Sequence, residues 1–139
     1  MFFGEDTRLF YKLHPTMGAP TIEISGILMH RIKGIDPLKD AKQKISAIAP
    51  LKGHVLDTCG GLGYTAILAA RVAEKVTAVE KDPNVLEIAR QNPWSRELFN
   101  ARNISLIEGD VFQMIQEFPA RLLPSSRIPP LTSLFLPAR

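Results

Sequence analysis

The stretch Val55-Leu56-Asp57-Thr58-Cys59-Gly60-Gly61-Leu62-Gly63-Tyr64-Thr65-Ala66 constrains this chain more than any other. Val55 and Leu56 suit a strand covered on both faces. The glycines that follow allow a tight turn and keep Cβ atoms out of a ligand's way. Leu62 to Ala73 supplies good helix formers, and the N-terminal amides of such a helix point back at the turn and favour a polar or anionic group. A buried strand, a glycine turn and a helix open an α/β unit whose pocket is of the kind that takes a nucleotide.

Two ligand types compete for that pocket. Gly61-x-Gly63-x-x-Ala66 fits the dinucleotide fingerprint, in which a pyrophosphate sits on the helix N-terminus. Asp57 argues against it, because a carboxylate at the strand end, facing the turn, opposes a diphosphate at close range. A ligand with cationic or hydrogen-bond-donating groups suits the turn better. S-adenosylmethionine, with an ammonium, a sulfonium and no phosphate, meets that description.

Asp57-x-Cys59-x-Gly61-x-Gly63 resembles the Asp-x-Gly-x-Gly-x-Gly motif of Rossmann-like (class I) S-adenosylmethionine-dependent methyltransferases, with Cys59 in place of the first glycine. The next strand, Val76 to Glu80, ends in an acid 23 residues after Asp57, near the ~20-residue spacing at which a carboxylate bonds ribose hydroxyls. A third strand, Ile104 to Glu108, runs into Gly109-Asp110-Val111, which resembles the Gly-Asp pair whose carboxylate receives the adenine amino group in those enzymes. Through Pro20 to Gly26, the Asp57 motif and Val79 to Val85, the chain also resembles a group of predicted archaeal methyltransferases. The resemblance implies a doubly wound parallel sheet and S-adenosyl-L-methionine as cofactor. It implies cofactor contacts at Asp57, Cys59, Gly61, Gly63, Glu80, Asp110 and Val111, with Glu80 on the ribose. It assigns no catalytic residue and no metal.

With 139 residues and 45% apolar side chains, the chain suits one globular domain that buries about two-thirds of its unfolded surface if all of it packs. No apolar run approaches the roughly 18 residues of a membrane span, and Met1 to Asp6 lacks the basic start of a signal peptide. The cytoplasm is the expected compartment. Cys59 stands alone, so no internal disulfide forms, and it is expected as a small buried residue of the turn rather than as a nucleophile.

The formal charge of +3 resides in Arg121, Arg127 and Arg139, because residues 1–118 balance 14 basic against 14 acidic side chains. One local asymmetry stands out. Residues 28–54 carry six Lys/Arg against two Asp, with His30 and His54 besides. Such a run reads first as a solvated face and second as a surface for RNA.

Along the chain, residues 1–35 form an N-terminal extension. Residues 1–20 read as irregular or short-stranded, and Thr21 to Ile24 with Ile27 to Ile32 read as a hairpin across Ser25-Gly26. Residues 36–118 form the cofactor-binding half. Asp36-Pro37 starts a helix with Leu38, Ala41, Ile45, Ile48 and Ala49 inward and Lys39, Lys42 and Lys44 wet. Asp82-Pro83 starts another that stops before Pro93. Trp94, Leu98 and Phe99 sit on a short helix capped by Ser95, with Trp94 first in a core or lid role and second as a stacking surface for adenine. Val111 to Phe118 reads as a last helix with Phe112, Ile115 and Met114 inward. Helix, then strand and helix three times over, gives an α/β parallel sheet.

From Pro119 the composition changes. The last 21 residues hold five Pro, five Leu, three Arg and three Ser, with no acid and no glycine, a mixture that out-of-frame translation tends to give. In the resembling family a fourth strand ends in Asp-Pro-Pro; here Arg127-Ile128-Pro129-Pro130 has no acid before the prolines. The tail is therefore expected to be irregular, with the native second half absent after about residue 118, the third strand left as an unpaired edge open to self-association, and methyl transfer weak or absent; a genuinely short protein with a disordered or partner-binding proline-rich tail is the competing reading. The resemblance leaves the acceptor open among an RNA base, a protein and a small molecule. Its rivals are a spermidine synthase-like aminopropyltransferase, whose usual Gly-Gly-Gly-Asp-Gly turn Asp57-Thr58-Cys59-Gly60-Gly61 does not match, and a non-catalytic adenosyl-ligand-binding fragment.

Overall fold

Two sheets organise the chain in its computed structural model, which describes residues 1–114 and the backbone strand Leu131–Phe135. The first is antiparallel and built from β1 (Phe2–Gly4), β2 (Leu9–His14), β3 (Thr21–Ile24) and β4 (Ile27–Leu28), in that order. β2 pairs β3 over Tyr11↔Ile24 to His14↔Thr21, so the N-terminal extension is more regular than its turn-rich sequence suggests. β4 ends at Leu28, short of the expected Ile32.

The second sheet is parallel. After α1 (Pro37–Ala47) come β5 (His54–Asp57), α2 (Tyr64–Ala70), β6 (Lys75–Glu80), α3 (Pro83–Gln91), a 3-10 turn Pro93–Ser95, α4 (Arg96–Asn100) and β7 (Ile104–Glu108). Strand order is β7-β6-β5-β8, where β8 is Leu131–Phe135. The fourth strand, expected to be missing, is thus supplied from the proline-rich tail: β8 runs parallel to β5, with a register irregularity between His54 and Val55. The tail showed no alternating pattern because a strand flanked by prolines is recruited by an open sheet edge rather than by its own periodicity. β7 lies at one edge, as expected.

Local signals set most element ends. Asp36 caps α1 by accepting from the amides of Leu38 and Lys39 at 3.0 and 3.1 Å, with Pro37 in the first turn. Asp82 does the same for α3 through Asn84 N at 2.9 Å. α2 starts at Tyr64 rather than Leu62, because Gly63 takes the left-handed conformation (φ 80°) that closes the turn and Leu62 is fully buried beneath it.

β5 and β6 are buried along nearly their whole length, with Val55, Leu56, Val76, Ala78 and Val79 at 1% exposure or less. α2, α3 and α4 cover them with Ala66, Ile67, Ala69, Val85, Ile88 and Leu98. A polar knot lies inside this core: Asn92 Nδ2 donates to Tyr64 Oη at 2.9 Å and to Ser95 Oγ at 2.8 Å, and Ser95 Oγ donates to the carbonyl of Leu62 at 2.7 Å. Every donor of the Asn92 amide is used, so the burial leaves no unmet cost there.

Several inward assignments are corrected. Ile48 is half exposed because α1 ends at Ala47 and the helical face is lost beyond it. Ser95 makes no cap; its hydroxyl belongs to the buried knot. Trp94 is 51% exposed. It therefore lies outside the core, although its neighbour Ser95 reaches the carbonyl of Leu62 in the glycine turn. Phe112, at 76%, points outward from the turn of helix over 111–114. Ile115 and the remainder of the expected last helix lie outside the described residues.

The antiparallel sheet docks where the parallel strands end. Tyr11, with no exposed surface, stacks on Phe2 at 5.5 Å and donates its hydroxyl to Asp82 Oδ2 at 2.6 Å. Tyr64 Oη donates to the carbonyl of Pro20 at 2.8 Å, and Asn84 Nδ2 donates to Asp6 Oδ1 at 2.9 Å. Gly4 is needed at this contact, since a Cβ there would lie 2.9 Å from the Asn84 side chain.

Candidate functional site

The carboxyl ends of β5, β6 and β7 bring most of the sequence-selected residues together. Parallel strands place these ends side by side, and open α/β sheets bind ligands there. Gly60 N donates to the Val79 carbonyl at 2.8 Å and Gly63 N to the Gly60 carbonyl at 2.7 Å, which folds the turn back against β6. Gly61 (φ 50°) and Gly63 (φ 80°) occupy the left-handed region that glycine enters without strain.

Glu80 organises this turn from the neighbouring strand. Its Oε2 accepts from Gly61 N at 2.8 Å and its Oε1 from Asp82 N at 2.9 Å. Each carboxylate oxygen keeps an acceptor lone pair, so two hydroxyls can still be received. The side chain is buried, at 8% exposure.

Asp57 behaves differently from an open charge facing a ligand. It is 2% exposed and sits under the turn, accepting from Thr65 Oγ1 at 2.5 Å and from Cys59 N at 3.1 Å. Burial pushes its carboxyl up to about 6, against the lowering effect of the Thr65 hydroxyl and the Cys59 amide, with Glu80 adding to the rise. Its first role is to pin the glycine turn to the start of α2. Cys59, expected to be buried, is exposed on the outside of that pin. Partial desolvation raises its thiol, and the carboxylates of Glu80 and Asp57 raise it further, which opposes a nucleophilic role.

Asp110 stands two residues beyond β7. Its Oδ2 pairs with Lys81 Nζ at 3.1 Å and its Oδ1 accepts from Phe112 N at 2.8 Å. Lys81 and this amide hold the carboxyl below its usual range. Val111 beside it is half-buried. The Lys81 bond ties the loops after β6 and β7 together, flanking Glu80 from the side opposite the glycine turn.

Four contributors escaped the sequence reading. Thr65 anchors Asp57, Gly60 keeps the turn close to β6, Asp82 positions Glu80, and Lys81 pairs Asp110. For Asp82 the only signal was its cap before Pro83; the others needed the pairing of β5 with β6 and β6 with β7. Among the described residues no group of acids, histidines or cysteines has the arrangement of a metal site.

S-adenosylmethionine fits these residues. A Cβ on Gly60 would lie 3.4 Å from the Val79 carbonyl and 3.5 Å from Glu80 Cβ, so the absent side chain leaves the strip beside the carboxylate clear. The groups lining that strip are acceptors suited to ribose hydroxyls and an amine, whereas two carboxyls beneath and beside the turn oppose a diphosphate.

Comparison with known proteins agrees. An uncharacterized protein of Methanocaldococcus jannaschii is 53% identical over 110 residues, which cover 78% of this chain and 38% of that protein. The ribosomal RNA small subunit methyltransferase H of a Ruegeria species is 35% identical over 82 residues, 58% of this chain and 23% of its own length. The chain thus spans well under half of the curated relatives it matches. Spermidine synthase from Thermotoga maritima shares the fold, with a TM-score of 0.60 at 18% identity over 84% of this chain and 42% of that one. The family described as RNA cap guanine-N2 methyltransferase matches residues 52–127. More than half of the chain lies within that match, which makes S-adenosyl-L-methionine its cofactor, and the chain belongs to this methyltransferase family.

Proposed function

We propose that the chain is the cofactor-binding part of a methyltransferase that moves the methyl group of S-adenosyl-L-methionine to a nitrogen on an RNA base. The observation that carries this reading is Glu80, buried at the end of β6 with its oxygens fixed by Gly61 N and Asp82 N and still able to accept hydroxyls. Glu80 would receive the ribose, Asp110 and Val111 would border the adenine, and Gly61, Gly63 and Cys59 would lie along the remainder of the ligand over Asp57. The bound cofactor supplies an electrophilic methyl group. What the chain supplies is a fixed seat for it, because methyl transfer gains chiefly from holding the two reactants in line.

RNA as acceptor is supported by the family description and by the surface of α1. Gly34, Ile35, Lys39, Lys42, Gln43, Ser46 and Ala47 line an open groove of about 710 Å³ along this helix. It is separate from the cofactor seat, and its lysines are exposed. Asp40 is neutralised by Arg31 and Lys44, both at 2.9 Å. Such a strip meets a phosphate backbone while a base reaches elsewhere. On this reading residues 1–35 are an extension set over the strand ends, 36–118 hold the cofactor, and the tail contributes β8 beside β5. The fold likeness to spermidine synthase leaves an aminopropyltransferase as the rival, which the turn sequence disfavours.

Calorimetric titration with S-adenosylhomocysteine and with decarboxylated S-adenosylmethionine tests the reading. We expect the former to bind at least tenfold more tightly, and a short guanosine-containing RNA to bind the complex. Preference for the decarboxylated ligand would transfer the chain to the aminopropyltransferases, and no binding of either would remove the site assignment.

A further inference from the structure

We infer that Tyr11, from the N-terminal sheet, is a positioning residue for the cofactor ribose, acting through Asp82 on Glu80. The inference rests on the reading of Glu80 given above and adds a remote element that controls it.

Three hydrogen bonds make the connection. Tyr11 Oη donates to Asp82 Oδ2 at 2.6 Å, Asp82 N donates to Glu80 Oε1 at 2.9 Å, and Glu80 Oε2 receives Gly61 N at 2.8 Å. A phenol has one proton, and the carboxylate takes it. Thr7 Oγ1 lies 2.9 Å from the phenol oxygen on the same sheet. Tyr11 is wholly buried and stacked on Phe2, which holds its hydroxyl beside Asp82, the charged and closer of its two acceptors.

Asp82 has two jobs that pull on different atoms. Oδ1 accepts from Asn84 N at 2.9 Å and starts α3, while Oδ2 is held by Tyr11. With both oxygens engaged, the backbone of Asp82 is fixed, and its N–H is the group that orients Oε1 of Glu80. A second tie from Asn84 Nδ2 to Asp6 Oδ1 at 2.9 Å brings the β1–β2 turn to the same point. The sheet is therefore more than a cover: it sets the orientation of the carboxylate that would receive the ribose hydroxyls. Removing the phenol proton releases Oδ2, lets the Asp82 loop shift, and costs ribose affinity without touching the ligand.

The test uses the 139-residue chain and four proteins: wild type, Tyr11→Phe, Glu80→Ala and the double variant, each titrated with S-adenosylhomocysteine and with its 2′,3′-dideoxy analogue. Tyr11→Phe should weaken S-adenosylhomocysteine about 3- to 10-fold, in keeping with the indirect loss of about one ordinary hydrogen bond, and leave the dideoxy analogue unchanged. It should have no further effect in the Glu80→Ala background. Equal weakening of both ligands, or an undiminished effect in that background, would mean a general structural role and would overturn the inference. No change in either ligand would overturn it too. Failure of Glu80→Ala to erase the preference for ribose hydroxyls would instead defeat the reading of Glu80, and the inference with it. Should Tyr11→Phe unfold, Asp82→Asn, which keeps the cap oxygen and the backbone N–H, must reproduce the same ligand pattern.

Discussion

Leu98 closes on Gly63 so tightly that a Cβ built on the glycine would lie 2.6 Å from Leu98 Cδ2. The same glycine holds φ at 80°, so the turn proposed to seat the ligand and the packing of α4 are decided at one position. Gly63→Ala adds strain to a clash and should cost about 2–4 kcal/mol in urea unfolding. Leu98→Ala alone removes a fully buried side chain and should cost about 2–5 kcal/mol. In the double variant the clash is gone, and the two losses should sum to less than the separate values by about 1 kcal/mol or more. Additive losses would show that the contact is not shared.

Glu80→Ala removes the acceptor for Gly61 N and Asp82 N together with the proposed ribose contact. S-adenosylhomocysteine should bind about 10- to 100-fold more weakly, as expected for losing buried hydrogen bonds worth about 1–3 kcal/mol. Asp57→Ala should weaken binding through the turn rather than by contact, so its loss should come with a lower melting temperature. Calorimetry and thermal melts on the same samples check both.

A buried carboxyl and a half-buried imidazole give opposite acid responses. The Asp57 carboxyl, pushed up to about 6 by burial, binds a proton in the folded chain between about pH 4 and 6 that the unfolded chain does not hold. Relative to Asp57→Asn, the wild type should therefore gain stability as pH falls from about 6 to 4, by about 2–3 kcal/mol. His30 is pushed down to about 4 by burial first and Lys44 second, with Asp40 opposing. Its contribution is complete above about pH 6.5 and is lost as pH falls toward 4. His30→Gln should therefore flatten the acid loss where Asp57→Asn steepens it, as read by urea midpoints from pH 4 to 8.

The exposed Cys59 thiol should alkylate slowly with iodoacetamide at pH 7, because desolvation and then Glu80 and Asp57 disfavour its thiolate. S-adenosylhomocysteine should slow the reaction further by lying against the turn. Mass spectrometry with and without ligand reads this directly, and equal rates would place Cys59 outside the cofactor seat.

Reversing charge on α1 tests the acceptor surface. Lys39→Glu with Lys42→Glu should weaken binding of a short RNA and lower the slope of affinity against salt by about one for each phosphate that the helix no longer neutralises. Binding of S-adenosylhomocysteine should be unchanged, since neither lysine borders the seat.

Residues with strong local chemistry were legible without the fold. The glycine turn, the caps at Asp36 and Asp82 and the acids at Asp57 and Glu80 each follow from a backbone requirement or from strand spacing, whereas Asp110 was singled out by resemblance to a family motif. Cys59 was placed wrongly, and Trp94 lies outside the core, because small size and aromaticity favour burial only on average, and the direction of each side chain is set by the path of the chain around it. β8 was missed for a related reason: nothing in Leu131 to Phe135 shows a strand until β5 offers an open edge.

The sequence alone determined that a parallel α/β sheet forms around a glycine turn with acids at its strand ends, because alternating apolar runs, caps and glycines act over a few residues. Only the tertiary structure decided which acid is pinned beneath the turn and which is left able to accept a ligand. It also brought Tyr11, 71 positions before Asp82, to donate its hydroxyl to that carboxylate. Those outcomes depend on hydrogen bonds and desolvation between segments far apart in the chain, and no local pattern encodes which partner a buried carboxylate will meet.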